Sequence, residues 1–424
     1  MSVQHKQLNI GLFGFGVVGE GLYKVLQQTP SLQAAIKKVC IKHPEKKRNA
    51  PAALFTTDAA LLLEDEEINV IVELIDDADA AFSIVSTALR GKKAVVSASK
   101  KMIAEHLEEL LQLQQEHNVP FLYESACCAS IPVIRNLEEY YDNDLLQGIQ
   151  GIVNGSTNYI LSRIAEEGLS FADALKLAQE AGFAESNPAL DIEGTDAVNK
   201  LTILLTHAYG TVTNPGDIVY TGICDLKPRD AVFAGEKQYK VKLVAQARKL
   251  PGGDIAAFVL PQFVNSANSL YHVNNEYNGV IIESGLADKQ FFSGKGAGSF
   301  PTASAVLSDL SALRYDYRYE YKKRNRETGA ALTDDFYVRV YVSFDRLLQV
   351  PHHLFERIEE WTSNKNGCSV SGILHFSRLR DSWWRNDYTS LILYPDAIVD
   401  VAALPEKQAG ELASIWDKEP AFSA

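Results

Sequence analysis

The sequence predicts an α/β chain in three parts. These are a parallel-sheet domain over about residues 1–135, an α+β domain over 136–313, and a linker with a small α+β unit over 314–424. Three observations carry that reading. Short apolar runs alternate with helix-spaced stretches from the start of the chain, as βαβ units require. A glycine-rich turn, Gly14-x-Gly16-x-x-Gly19, follows the first run and opens the first helix. Near residue 314 the composition shifts: RYDYRYEYKKRNRETG is charged, aromatic and poor in aliphatics, and reads as linker and surface.

Leu8 to Phe13 reads as a buried strand, Glu20 to Gln28 as a helix and Lys38 to Ile41 as a second strand. Val70 to Ile75, Ala94 to Ser97 and Phe121 to Glu124 are further strand-like runs. Between the last two, Ala104 to His117 spaces its apolar residues by three and four, the period of a helix. The second part begins near Asp144. Phe171 to Gly182 is an Ala-rich helix stopped by glycine, and Ala197 to Tyr209 is another helix. Strands follow at Ile255–Leu260 and Gly279–Glu283, then a glycine-rich loop over 294–306. In the tail, Phe336 to Phe344 alternates as a strand and Leu354 to Trp361 reads as a helix. Ser369 to Leu374 is a strand, and Leu391 to Tyr394 a last element.

Composition excludes several classes. The chain of 424 residues is 46% hydrophobic and 22% charged, so it buries a core and is not disordered. Its net charge of -13, with no dense Lys/Arg stripe, repels nucleic-acid phosphates. Five cysteines with no C-x-x-C pair make neither a disulfide framework nor a zinc site. His352-His353 lacks metal-ligand spacing around it. No signal peptide opens the sequence and no apolar run approaches the roughly 20 residues that span a bilayer. A cytoplasmic protein with no membrane partner is expected.

The glycine turn has a physical reading. The first glycine permits a tight turn, the second lets the backbone approach a pyrophosphate, and the third lets helix and strand pack closely. Free N–H groups at the helix start then bind the negative charge. Strand, turn and helix together predict a Rossmann-type dinucleotide site at Gly14, Phe15, Gly16, Val17, Val18 and Gly19. After Ile41 the chain places Lys42, Lys46, Lys47 and Arg48 around the lone Glu45. Basic groups suit a 2′-phosphate, so NADP is expected over NAD, which stays open.

The segment from Glu185 to Lys200 is the richest in chemistry. Asp196 and Lys200 are four apart, on one face of a helix. A lysine can take and return the hydroxyl proton when a nicotinamide oxidises an alcohol, and a carboxylate can orient it. By spacing alone a surface ion pair is the commoner reading of an i,i+4 Asp–Lys pair.

Four stretches, in order, are similar to those of the monofunctional homoserine dehydrogenases: GLFGFGVVGEGL (11–22), GIVNGSTNYILSRI (151–164), AGFAESNPALDIEGTDAVNKL (181–201) and GKGAGSFPTASAVLSDL (294–310). The likeness runs over about residues 8–310. It implies NAD(P)-dependent interconversion of L-aspartate 4-semialdehyde and L-homoserine, in threonine, methionine and isoleucine biosynthesis. By this resemblance Lys200 donates and accepts the proton and binds substrate, and Asp196 assists it. Glu185 binds the substrate's amino group with Asp191 beside it. Lys100 lies near the nicotinamide, and the loop around Gly296 closes there. A monovalent cation such as sodium would sit at Glu124 and the carbonyls of Cys127, Ala129 and Ile131. The resemblance also implies a homodimer or homotetramer, and a tail that is a degenerate ACT-like regulatory unit. That tail lacks the D-x-P-G-V-L turn, so threonine feedback is not expected, nor is a bifunctional form with an aspartokinase region.

Three sites depart from the family pattern. Asp76-Asp77 stand where glycines are usual, Ala129-Ser130 replace Gly-Gly, and Ser99 replaces asparagine. A positive φ at 129 would strain alanine. The alternatives are another amino-acid dehydrogenase on this scaffold and a non-catalytic dinucleotide or amino-acid sensor. The intact Glu185, Asp196 and Lys200 count against the sensor.

Overall fold

A computed structural model describes residues 7–143, 145–325, 330–345, 350–364 and 367–399. The first sheet is built from β1 (Leu8–Phe13), β2 (Ala34–Cys40), β3 (Phe55–Thr56), β4 (Val70–Glu73), β5 (Ala94–Ser97) and β6 (Phe121–Leu122). All its pairs are parallel, in the order β3-β2-β1-β4-β5-β6. Helices α1 (Val17–Gln28), α2 (Ala60–Leu63), α3 (Ala78–Arg90) and α4 (Lys100–His117) fill the connections. Because helices cover both faces, β4 and β5 are buried at every position and read as unbroken apolar runs. Glu73 is the one charge in those two strands. This strand order opens a crevice beyond the C-terminal ends of β1 and β4, where such sheets bind dinucleotides.

The short α5 (Val133–Arg135) leads to the second sheet, whose first strand is β7 (Leu146–Ile152). Four helices follow in sequence: α6 (Gly155–Glu167), α7 (Phe171–Glu180), α8 (Ala189–Ile192) and α9 (Thr195–Tyr209). Then come β8 (Val219–Tyr220), α10 (Pro228–Glu236), β9 (Lys240–Lys249), β10 (Ile255–Val264), β11 (Tyr277–Ser284), β12 (Asp288–Lys295) and α11 (Ser299–Leu313). The tail adds β13 (Tyr337–Phe344), β14 (Phe355–Asn364), β15 (Gly367–His375) and β16 (Thr389–Val399). The sheet runs β12-β11-β7-β9-β10-β16-β13-β15-β14, with β8 beside β10. β10 is buried at every residue. Its odd positions Ala257 and Val259 join the main core, which extends from Leu8 to Tyr321 and unites both sheets. Its even positions Ala256, Phe258 and Leu260 join a separate core with the tail. Among the described residues no helix is long and apolar enough to cross a membrane.

Three expectations need correction. The glycine-rich loop expected over 294–306 is much shorter, because β12 reaches Lys295 and α11 begins at Ser299. The segment read as linker and surface alternates instead. Tyr319, Tyr321 and Lys323 are buried, whereas Arg318, Glu320 and Lys322 face out. The helix expected at Leu354 to Trp361 is strand β14, preceded by a single turn at His352–Leu354. The ACT-like expectation for the tail is not borne out: its described strands form an antiparallel sheet, but no α-helix lies among its described residues from 330 on. Residues 400–424 of the expected tail unit lie outside the described residues.

Candidate active site and dinucleotide cleft

The glycine turn has the geometry its spacing predicts. Gly14 has φ +91°, and a Cβ there would lie 2.5 Å from the Leu74 carbonyl oxygen. A Cβ at Gly19 would lie 2.5 Å from the Gly14 carbonyl, so helix and turn touch. Gly16 differs: nothing lies within 4 Å of its Cβ position, which leaves the backbone open to a ligand. Val17, the first helical residue, is exposed at the mouth of the cleft. Beyond β2 and β3, Lys46 and Arg48 line a cavity of about 510 Å³ with Ile41, Pro44 and Phe55. Arg48 donates to the Lys46 carbonyl at 2.7 Å and stands over the Phe55 ring. The donor-rich helix start, the open glycine and this basic cavity fit a dinucleotide.

On the other side of the crevice Asp196 stands between two lysines. Its Oδ2 accepts from Lys200 Nζ at 2.7 Å and from Asn154 Nδ2 at 2.8 Å. Its Oδ1 pairs with Lys100 Nζ at 2.8 Å. Three elements converge here. Asp196 and Lys200 are one turn apart near the start of α9, Lys100 is the first residue of α4, and Asn154 caps α6. Lys200 Nζ also donates to the Val153 carbonyl at 2.7 Å. An ammonium has three donors, so one remains for a ligand. Burial opposes the charge on Asp196, but Lys100 and then Lys200 outweigh it and hold the carboxyl well below the usual range. The Asp196 charge in turn raises Lys100 above the ordinary lysine range, against burial. Lys100 stays 44% exposed at the mouth of the site.

Asp191 is drawn in through the same asparagine, whose Nδ2 donates to its Oδ1 at 2.6 Å. Glu185 is exposed, and only its carbonyl is bonded, to Gln179 Nε2. Among the described residues no bond joins its carboxylate to the Asp196 cluster. The role of Asn154 was not legible in the sequence, although an Asn before Gly-Ser-Thr at a strand-to-helix junction is a helix-cap signal.

Glu124 is buried and accepts from the backbone amides of Ile134 and Arg135, both at 2.9 Å. Burial first, then the Asp309 charge, pushes its carboxyl up to about 8. Ala129 adopts φ +40° and Cys128 φ +57°, a left-handed turn that Gly would make without strain. Asp77, one of the two acids at the glycine-rich position, caps α3 by accepting from the Ala80 amide. Its carboxylate is turned toward a helix start.

Residues 14–124 match the NAD-binding-domain model of the homoserine dehydrogenases, and residues 132–311 match the homoserine dehydrogenase model. The homoserine dehydrogenase of Bacillus subtilis is 31% identical over 384 residues, covering 82% of this chain and 88% of its own. The chain belongs to the homoserine dehydrogenase family. The Helicobacter pylori homoserine dehydrogenase is 37% identical over 72% of this chain and 73% of its own. Among solved structures, a Thiobacillus denitrificans homoserine dehydrogenase superposes with a TM-score of 0.79 at 26% identity, covering 92% of this chain and 98% of that one. A hyperthermophilic archaeal homoserine dehydrogenase in complex with NADPH gives 0.63 at 25% identity, over 74% and 99%. As a homoserine dehydrogenase the chain is an NAD(P)-dependent oxidoreductase acting on a CH–OH group. Its nicotinamide dinucleotide belongs to the parallel-sheet part.

Proposed function

We propose that the Lys200–Asp196 pair, with Lys100 at its mouth, is the proton-transfer centre of an NADP-preferring homoserine dehydrogenase. The single observation that carries this is a buried lysine with two donors fixed and the third without a partner among the described residues, held by a carboxylate that stays ionised. The bound dinucleotide supplies or takes the hydride. Lys200 gives its proton to the semialdehyde oxygen as the carbonyl carbon is reduced, and takes it back in the reverse direction. Asp196 keeps the ammonium aimed. Lys100, exposed beside the same carboxylate, meets the substrate at the nicotinamide side, and Gly296 belongs to the loop that closes there. Asp191 is positioned by Asn154 to bind the substrate's amino group, and Glu185 completes that site once substrate draws it in.

Lys46 and Arg48 favour a 2′-phosphate, which supports NADP over NAD. Phe15 and Val18 complete the phosphate turn with Val17. For a monovalent cation, Glu124 and the carbonyls of Cys127, Ala129 and Ile131 are a hard-oxygen donor set of low charge, suited to sodium and not to a transition metal. The strained turn at 128–129 supports a selected carbonyl arrangement there. A homodimer or homotetramer is the assembly we infer, since Tyr277 and Phe291 are exposed on one face of the second sheet.

The test is nicotinamide reduction by purified protein with homoserine and either NADP⁺ or NAD⁺ at alkaline pH. Homoserine-dependent reduction, faster with NADP⁺, is the expected result. Lys200→Ala should lower turnover by roughly 10²–10⁴-fold and leave dinucleotide affinity nearly unchanged. Near-normal turnover in that variant would remove Lys200 from its role.

A further inference from the structure

Asn278 of β11 lies opposite Gly294 of β12, and its neighbour Gly279 pairs with Ile152. Ile152 precedes Val153, whose carbonyl holds Lys200. β12 ends at Lys295, and the chain crosses Gly296, Ala297 and Gly298 before α11 begins. The Asn278 side chain sits directly under that crossing. A Cβ at Gly296 would fall 1.9 Å from its Nδ2 and 2.4 Å from its Oδ1. Residue 296 must therefore be glycine while the amide keeps its place.

Asn278 is fully buried, and its amide N–H side meets the Cys128 thiol, whereas Oδ1 has no hydrogen-bond partner among the described residues. A buried amide oxygen left unbonded forfeits its hydration, and a thiol is a weak substitute on the N–H side. The crossing above it is tied at both ends. Ser130 donates to the Lys295 carbonyl from its N at 3.3 Å and its Oγ at 2.9 Å. Ser299 Oγ donates to the Val17 carbonyl at 2.8 Å, at the start of α1. With Lys295 and Ser299 fixed, the motion left to the crossing is rotation of its peptide planes. Glycine at 296 and at 298, where φ is +114°, permits that rotation.

We propose that Asn278 is a positioning residue for the nicotinamide half of the dinucleotide. A peptide carries its N–H and its C=O on opposite edges. When the crossing turns one edge down to the Asn278 amide, the other edge faces the cleft and can bond the carboxamide of the nicotinamide. Asn278 thus selects which edge the cofactor meets. This rests on the reading of Gly296 as a cofactor-loop residue.

The experiment titrates NADPH and 2′-phospho-ADP-ribose, which lacks the nicotinamide, into wild type, Asn278→Ala, Gly296→Ala and the double variant. The bond recorded for the Asn278 side chain is the weak one to the Cys128 thiol, so its alanine variant should keep the fold. The Asn278→Ala Kd for NADPH should rise about tenfold, the worth of one hydrogen bond, with that for 2′-phospho-ADP-ribose unchanged. Gly296→Ala should weaken NADPH more. The double variant should lose less than the sum of the two, because the new methyl then has room. Equal losses for both ligands in Asn278→Ala, or no loss for NADPH, would overturn the inference. Gly296→Ala binding NADPH like wild type would instead overturn the loop reading beneath it.

Discussion

Glu73 is the clearest case of one side chain carrying a measurable signature. It ends β4, fully buried, and accepts from Ser97 Oγ at 2.5 Å and from the Ile75 amide at 2.7 Å. Burial, the largest influence, pushes its carboxyl up to about 7, although both bonds pull it down. A carboxyl raised in the folded state holds its proton where the unfolded chain has released it. Stability therefore falls as pH rises from the ordinary carboxylate range to about 7, and stays lowered above that. Glu73→Gln keeps the shape and removes the titration. Its gain over wild type should be about 1 kcal/mol near pH ~5 and about 3 kcal/mol near pH ~8, read from denaturant midpoints. A gain that does not change with pH would mean Glu73 is ionised in the fold. At this scale much of the site was legible. The structure brings Lys200, Asp196 and Lys100 into one cluster and gives the three glycines the turn their spacing predicts, because helix period and turn geometry are local properties. The strain expected at Ala129 is present as φ +40°. Asn278 and the Val153 carbonyl were not legible, since their roles depend on strands that meet only in the fold.

Elements misread from sequence were misread for stated reasons. β14 contains Phe355, Ile358 and Trp361, a spacing of three that imitates a helix. Two irregularities in its pairing with β15, at Phe355/Arg357 and Ile358/Glu360, each insert a residue. Each turns a strand step of two into three, so all three side chains face the same core. The Tyr-x-Tyr-x-Tyr-x-Lys run from Tyr317 had the opposite problem: its period of two was visible, but its charge masked it. Those tyrosines close on α9 beyond Lys200, at His207. His207, two turns beyond Lys200, bonds Tyr123 OH at 2.9 Å, and Tyr123 OH bonds Tyr321 OH at 2.8 Å. Tyr319 packs against the His207 and Tyr123 rings, yet its buried OH has no partner among the described residues. Tyr123→Phe should thus cost about 1–3 kcal/mol, because it leaves bonded groups orphaned. Tyr319→Phe should cost nothing or stabilise. Thermal midpoints distinguish the two, and equal losses would mean that the Tyr319 hydroxyl is bonded in solution.

For the whole molecule, the two cores predict which part depends on which. Val198 and Leu201 on either side of Lys200, Phe15 of the glycine turn and the tyrosines from Tyr317 belong to one apolar cluster shared by both sheets. The tail strands have their own cluster, but they borrow Val219 and the even face of β10 to complete it. Removing residues 334–424 would expose Ala256, Phe258 and Leu260 while leaving the Lys200–Asp196 site untouched. Each large side chain exposed forfeits about 1.5–3 kcal/mol, and the bare strand face becomes an adhesive patch. The shortened chain should aggregate. Phe258→Thr with Leu260→Thr should restore its solubility, because threonine keeps the strand preference without the apolar surface. That soluble form should retain turnover with homoserine, measured by nicotinamide reduction, because β10's odd face still completes the catalytic core. A shortened chain that stays soluble without these substitutions would show that the tail sheet does not serve to cover β10. Loss of turnover in the soluble form would place the tail in the working enzyme and not beside it.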